Sequence, residues 1–225
     1  MATPPFAAHS PPMFSPAADR NKQAILDVLR QVLPERGSAL EIASGTGQHV
    51  AWFAHGLPHW TWQPTDAQPE ALNVIAASLA QHGSSPVRAP LQLDVMAPRW
   101  LPHSAQFDLK FDLIYCANML HIAPWATCAA LMRGSARHLA PGGMLITYGP
   151  YLEGDVPTAE SNRAFDQRLR AQNPDWGIRR REDVEQAAAR AGLRLSARRA
   201  MPSNNLLLVW TMRESAPNSN ESDHG

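Results

Sequence analysis

The chain has 225 residues, with 20 Lys plus Arg against 20 Asp plus Glu, so its formal charge is zero. That length suits one ordinary domain whose core is large enough to stand without metal or disulfide staples. The balanced charge excludes a whole-molecule field that would draw the chain to nucleic acid or to an anionic membrane.

Chain order begins with a segment over residues 1–13 that is rich in proline and alanine and is expected to be flexible. It lacks the basic and apolar regions of a secretion signal, and the run Leu206–Trp210 is strand length, far short of the roughly 20 residues that span a bilayer. The expectation is a soluble, cytoplasmic protein with no membrane contact. Ser15 and Pro16 form a helix cap and first position, and Ile25, Val28, Leu29, Val32 and Leu33 repeat at helical spacing up to Pro34. A first strand is expected over about 38–43, its helix over 47–55, and a second strand over 60–66 whose last residues Pro64 should make irregular. A third helix opens at Pro69, with Leu72, Ile75, Ala76 and Leu79 on one face and Gly83 as its stop.

Val87 to Val95 reads as a third strand ending in Asp94, followed by a loop around Pro98 and Pro102. Phe111–Cys116 is continuously apolar, as a strand buried on both faces requires. Pro124 opens a helix to about His138, and Ala140–Gly143 turns the chain into a fifth strand at Met144–Tyr148. A helix over 158–172, a turn at Asn173–Gly177, a helix over 181–191 ended by Gly192, and a hairpin of strands at 193–200 and 205–212 complete the pattern. The fold class expected is α/β: a Rossmann-like, doubly wound, mostly parallel seven-stranded sheet with a terminal antiparallel hairpin. Residues 14–212 form the single domain, and the polar stretch 213–225 reads as a disordered tail. Cys116 and Cys128 fall in core elements without CxxC spacing and read as reduced, buried thiols.

The segment Leu40–Gly47 carries the chemistry. An apolar run ends in Glu41, a small-residue turn follows, and a helix begins, which brings backbone close to a ligand and aims helix N–H groups at it. A dinucleotide fingerprint would need glycine where Val50 stands, and a phosphate loop would need a lysine that neither glycine precedes. Asp66 lies 19 positions beyond Gly47, where a carboxylate in doubly wound folds meets ribose hydroxyls. Glu41, Asp66 and Asp94 all end strands, and ligands in such sheets bind outside the carboxyl ends.

Glu41-x-Ala43-x-Gly45-x-Gly47 resembles the first motif of class I S-adenosylmethionine (SAM) methyltransferases, with Ala43 in place of the usual glycine. An alanine there predicts a backbone without positive φ. The segments 14–22, 62–66, 118–125, 149–151, 161–166 and 173–179 together resemble the methyltransferase-like 26 family, over about residues 14–212. The resemblance implies SAM as cofactor and S-adenosylhomocysteine as product. It places Glu41, Ala43, Ser44, Gly45, Gly47, Asp66, Asp94, Val95 and Asn118 around that cofactor, with Asp94 and the Val95 N–H at the adenine and Glu41 at the methionine end.

Within that frame His121 and Asn118, just past the fourth strand, are the expected catalytic pair, His121 orienting or deprotonating the acceptor. Trp125, Tyr148, Tyr151, Glu153, Trp176 and Asn204 are expected to line the acceptor pocket. Arg20, Asn21 and Lys22 either close over the cofactor carboxylate or form an exposed helical face. No metal site is expected, because Pro58 breaks the helix that would align His55 with His59. Arg179–Arg181 reads as a helix start on solvated surface rather than a phosphate tracker. The expected activity is methyl transfer to a small molecule, with no nucleic-acid partner. The rivals are a catalytically silent SAM-binding module serving a partner protein, and a nicotinamide oxidoreductase, which Val50 disfavours.

Overall fold

The computed structural model describes residues 14–82, 87–101 and 110–213. The expected flexible N-terminus 1–13, the tail from 214 on, Gly83 and Pro102 lie outside the described residues. Helix α1 (Pro16–Val32) starts where the Ser15 hydroxyl accepts the Ala18 N–H at 3.2 Å, as the Ser-Pro pair predicts. Then follow β1 (Gly37–Ile42), α2 (Gln48–Gly56), β2 (Trp60–Asp66), α3 (Pro69–His82), β3 (Leu91–Gln92), β4 (Phe111–Ala117) and α4 (Trp125–His138). The chain continues through β5 (Leu139–Leu152), α5 (Glu160–Gln172), β6 (Arg179–Arg180), α6 (Arg181–Arg190), β7 (Leu193–Met201) and β8 (Asn205–Met212).

The sheet runs β3-β2-β1-β4-β5-β8-β7, parallel except for the antiparallel β5·β8 and β7·β8 pairs, so the doubly wound fold with its terminal hairpin is present. Seven strands form the sheet's path, and the two-residue β6 adds an eighth off it by pairing with the end of β5. One core lies between α1, α2 and the sheet, around Trp60, Trp62, Phe53 and Tyr115. The other lies under α4 and α6, around Phe111, Leu131, Val184 and Trp210. Burying aromatic rings of this size on both faces is the main stabilising contribution here. Trp60 Nε1 donates to Pro34 O and Trp210 Nε1 to Thr147 Oγ1, each at 3.0 Å, whereas Trp62 Nε1 is buried without a partner.

Several expectations need correction. The third strand is not nine residues long; only Leu91–Gln92 pairs as a strand, with a lone bridge from Val87 to Trp62, because Pro90 has no N–H to give the ladder. Pro64 does not disrupt β2, which stays regular to Asp66 and keeps the register Glu41↔Pro64. Thr65 bonds toward β1, so Pro64 faces the interrupted β3 side, where Gln63 Nε2 donates to Pro64 O and Ala89 O. The turn expected at 140–143 is an irregularity inside a 14-residue β5, with Gly142 at φ 77° and a register shift opposite Phe111–Leu113. On α3 the buried side chains are Ala71, Val74 and Ile75, whereas Ala76 is exposed and Leu72 half-buried. Cys116 and Cys128 are both free and buried.

Candidate functional site

The loop from Ile42 to Gln48 is strapped to the end of β2. Ser44 N donates to Thr65 O at 2.8 Å, Thr65 N to Ser44 Oγ at 3.2 Å, Thr65 Oγ1 to Glu41 O at 2.6 Å, and Gly45 N to Asp66 Oδ2 at 3.0 Å. Ala43, Gly45 and Gly47 all adopt positive φ, at 55°, 56° and 71°. The expectation for Ala43 is therefore wrong: it holds the left-handed conformation that glycine normally supplies, at a cost of about 1–2 kcal/mol. The straps to β2 over-determine the loop and impose it. Gly47 is held by packing as well as by φ, since a Cβ there would lie 3.1 Å from Ile75 Cα; at Gly45 a Cβ would meet nothing within 4 Å. Gly47 caps α2, so the first N–H groups of that helix open beside this bend.

Two carboxylates face the loop. Asp66, buried, accepts Gly45 N–H on one oxygen and Gln68 N–H on the other, both at 3.0 Å, and each oxygen keeps acceptor capacity. Glu41 is 2 % exposed, and its Oε2 is buried without a hydrogen-bond partner. Burial pushes its carboxyl up to about 8, with Ser44 pulling partly back and the Asp66 charge adding to the rise. A cationic group delivered to this loop would complete it. Asp94 is exposed beyond β3 rather than at a strand end, its carboxylate accepting Met96 N–H at 2.8 Å, with Val95 buried beside it.

Asn118 follows Cys116, the partner of Ile42, and so leaves β4 beside the start of the loop. It has φ 56°, and its N–H donates to Tyr148 O at 2.9 Å. His121 sits in a single 3-10 turn, Leu120–Ile122, and is 7 % exposed. A Cβ on Gly149 would lie 3.6 Å from His121 Nδ1 and 3.7 Å from Asn118 Oδ1, so the two expected catalytic side chains converge on β5 at one glycine. Burial first, and the charge of Arg179 second, push His121 down to about 4, leaving the imidazole neutral at physiological pH.

Residues 173–179 hold this turn, which sequence reading missed. Gly177 N donates to His121 O at 3.0 Å, Arg179 Nε to Leu120 O at 2.9 Å, and Arg179 Nη2 to Ala123 O at 2.5 Å and Asp175 O at 2.8 Å. Phe165 of α5 meets the His121 ring edge-on at 5.4 Å. The triple arginine is thus not merely solvated surface: Arg179 pins the turn, and Arg181 pairs with Glu153, Glu182 and Glu185. The only warning in the sequence is that Arg179 directly follows the apolar Ile178 after a turn.

The expected pocket residues divide. Tyr151, Glu153 and Asn204 line one cavity of about 190 Å³, together with Asn162, Arg198 and Met201. Within it the Tyr151 hydroxyl is spent on Thr147 Oγ1 at 2.9 Å, and the Glu153 carboxylate on Arg181 and Arg198. Asn204, at φ 57°, ties the hairpin to α5, its carbonyl accepting Asn162 Nδ2 at 3.0 Å. Tyr148 is buried on β5 in the core shared with Ile25 and Leu26 of α1, with Asn21 and Asn205 beside its hydroxyl. Trp125 is exposed with Arg179 at 5.8 Å over its ring, and Trp176 is half-buried in the turn. Asn21 also bonds His49 Nε2 at 2.7 Å, and Lys22 pairs with Asp19 over the Trp52 ring, so neither is a free helical face. Among the described residues no group of three or more His, Cys, Asp or Glu is placed to hold a metal ion.

A family model described as "Protein of unknown function (DUF938)" matches residues 12–212. An O-methyltransferase family protein from Burkholderia thailandensis is 19% identical with a TM-score of 0.71, over 88% of this chain and 58% of its own. An O-methyltransferase family 2 protein from Planctomyces limnophilus, in complex with apigenin, is 19% identical with a TM-score of 0.70, over 86% of this chain and 59% of its own. Human N-acetylserotonin methyltransferase, in complex with SAM, is 15% identical with a TM-score of 0.72, over 87% and 52%. The chain spans somewhat over half the length of these structures, and at such identities the likeness establishes the shared fold.

Proposed function

The chain belongs to the DUF938 family, and from that premise we propose that it is a cytoplasmic SAM-dependent methyltransferase acting on a small molecule. The observation that carries the reading is Glu41 Oε2, a buried carboxylate oxygen without a partner beside a loop of three left-handed residues. SAM supplies an electrophilic methyl on a sulfonium, leaving S-adenosylhomocysteine. Its amino-acid moiety brings the ammonium that Glu41 lacks. Asp66 has acceptor capacity left for a ribose diol. Asp94, with the Val95 N–H, is assigned the adenine, and the Ser44–Gly47 backbone the close approach. A structure of the same fold, human N-acetylserotonin methyltransferase, is in complex with SAM, which supports SAM as the ligand of this loop.

On the acceptor side, Asn118 and His121 converge at Gly149. A neutral imidazole suits accepting a hydrogen bond from an acceptor N–H or O–H and orienting its lone pair, and such positioning can contribute roughly 7–11 kcal/mol to a displacement. The cavity lined by Tyr151, Glu153 and Asn204 is assigned to the acceptor as well. Trp125 and Trp176, which belong to the His121 turn and its 173–179 brace rather than to that cavity, are assigned an apolar wall for the acceptor. Kinship with the methyltransferase-like 26 family belongs to the same proposal, supported by the way residues 118–125, 149–151, 161–166 and 173–179 gather around His121.

The test is a metabolite extract incubated with methyl-labelled SAM and wild-type, Asp66→Ala or His121→Ala protein. Label in a small-molecule product with wild type alone supports the reading. SAM binding without any labelled product favours a silent binding module instead.

A further inference from the structure

We propose that the protein takes up SAM or S-adenosylhomocysteine in exchange for a proton held at Glu41, so that its affinity for the cofactor is set by pH across the neutral range. This rests on the cofactor reading above and adds a charge balance to it.

The geometry leaves Glu41 no internal counterion. From β2 it faces Asp66, and from β4 Tyr115 and Cys116, none of them a cation. On α2 the nearest titratable group is His49, which lies beyond Tyr115, 3.5 Å from its hydroxyl, and which burial keeps neutral. On α1, Lys22 is committed to Asp19 and the Trp52 ring.

Nor do the loop's N–H groups reach the Glu41 carboxyl. Ser44 N–H goes to Thr65, Gly45 N–H to Asp66, Gly47 N–H to Ser44 O, and the Thr65 hydroxyl to the backbone carbonyl of Glu41. Only the Ser44 side chain bears on it. Asp66, by contrast, accepts two backbone N–H groups.

An ionised carboxylate this deep without a cation is costly, and the inexpensive alternative is a proton. Burial pushing the group up to about 8 accords with that. An amino-acid ammonium arriving at the loop favours the carboxylate, and the proton leaves to solvent. One positive charge replaces another, so binding tightens as protons become scarcer.

The test is calorimetric titration of S-adenosylhomocysteine into the full chain at pH 7, in phosphate and in Tris, whose ionisation enthalpies differ. The expected result is release of close to one proton, with a dissociation constant about tenfold tighter at pH 7 than at pH 6. The thioether nucleoside 5′-methylthioadenosine, which has no ammonium, should bind without proton release and with little pH dependence. Glu41→Gln should bind S-adenosylhomocysteine more weakly, without release. Buffer-independent binding to wild type overturns the proposal and leaves the cofactor reading standing, as does release that persists in Glu41→Gln. Absence of binding at every pH from 6 to 9 overturns both.

Discussion

The Asp66 carboxylate accepts the Gly45 backbone N–H at 3.0 Å, so the residue assigned to the ribose also fixes the loop that approaches the cofactor. Asp66→Ala frees the Gly45 N–H, on a half-buried residue, and the Gln68 N–H, on an exposed one. The ligand-free protein should lose about 1.5–3 kcal/mol by urea denaturation, and Asp66→Asn less, because an amide oxygen can still accept one of them. If Asp66→Ala were as stable as wild type, Asp66 would have no part in holding the loop.

Ala43 pays for its position with a left-handed backbone at φ 55°. Ala43→Gly removes a strain of about 1–2 kcal/mol and adds about 0.5–1 kcal/mol of backbone entropy. The net expectation is a stabilisation of about 0.5–1 kcal/mol in chemical denaturation. A destabilised variant would mean that the alanine methyl contributes packing worth more than the strain.

The glycine loop, the strand alternation and the closing hairpin were legible in the sequence because each has a local cause: periodicity, a turn residue or a helix cap. What was not legible depends on contacts distant in sequence. Ala43 reads as a residue with negative φ until the bonds from β1 and its loop to Thr65 and Asp66 override its preference. Arg179 reads as surface charge because the carbonyls it binds, Leu120 and Ala123, lie more than fifty residues away. The fifth strand reads as ending at Tyr148, but β5 runs on to Leu152, and the partners of Tyr148 and Glu153, namely Asn21, Arg181 and Arg198, come from α1, α6 and β7.

Arg179 should behave as the pin of the His121 turn. Arg179→Ala removes donors to three carbonyls, an expected loss of about 1–3 kcal/mol, and Arg179→Lys should restore little, since an ammonium lacks the planar fork. Because the Arg179 charge helps burial hold His121 low, the His121 ring should titrate at higher pH in Arg179→Ala, read by NMR of the imidazole protons. An unmoved titration would show that Arg179 does not act on His121 electrostatically.

Stability of the ligand-free protein should peak near pH 6.5. His49 and His121 are pushed from the usual 6.5 to about 4, chiefly by burial, so the unfolded chain binds protons that the folded one refuses, and stability is lost as pH falls through that window. His138, also lowered by burial, acts in the same direction. Glu41, raised from 4.5 to about 8, keeps a proton that the unfolded chain releases, so its contribution is lost as pH rises through that range. The histidines outweigh it below 6.5; above, Glu41 prevails, with a decline approaching ~1.4 kcal/mol per pH unit up to about 8. Urea denaturation at pH 5.5, 6.5 and 7.5 measures both limbs, and Glu41→Gln should flatten the upper one.

The central claim is that the loop at Glu41–Gly47 is a SAM site, and thermal unfolding with S-adenosylhomocysteine or NAD tests it most directly. At a hundred times its dissociation constant, S-adenosylhomocysteine should stabilise wild type by about 2.7 kcal/mol, a clear rise in Tm, and should stabilise Asp66→Ala far less. NAD should leave Tm unchanged. A rise with NAD and none with S-adenosylhomocysteine or SAM would contradict the account.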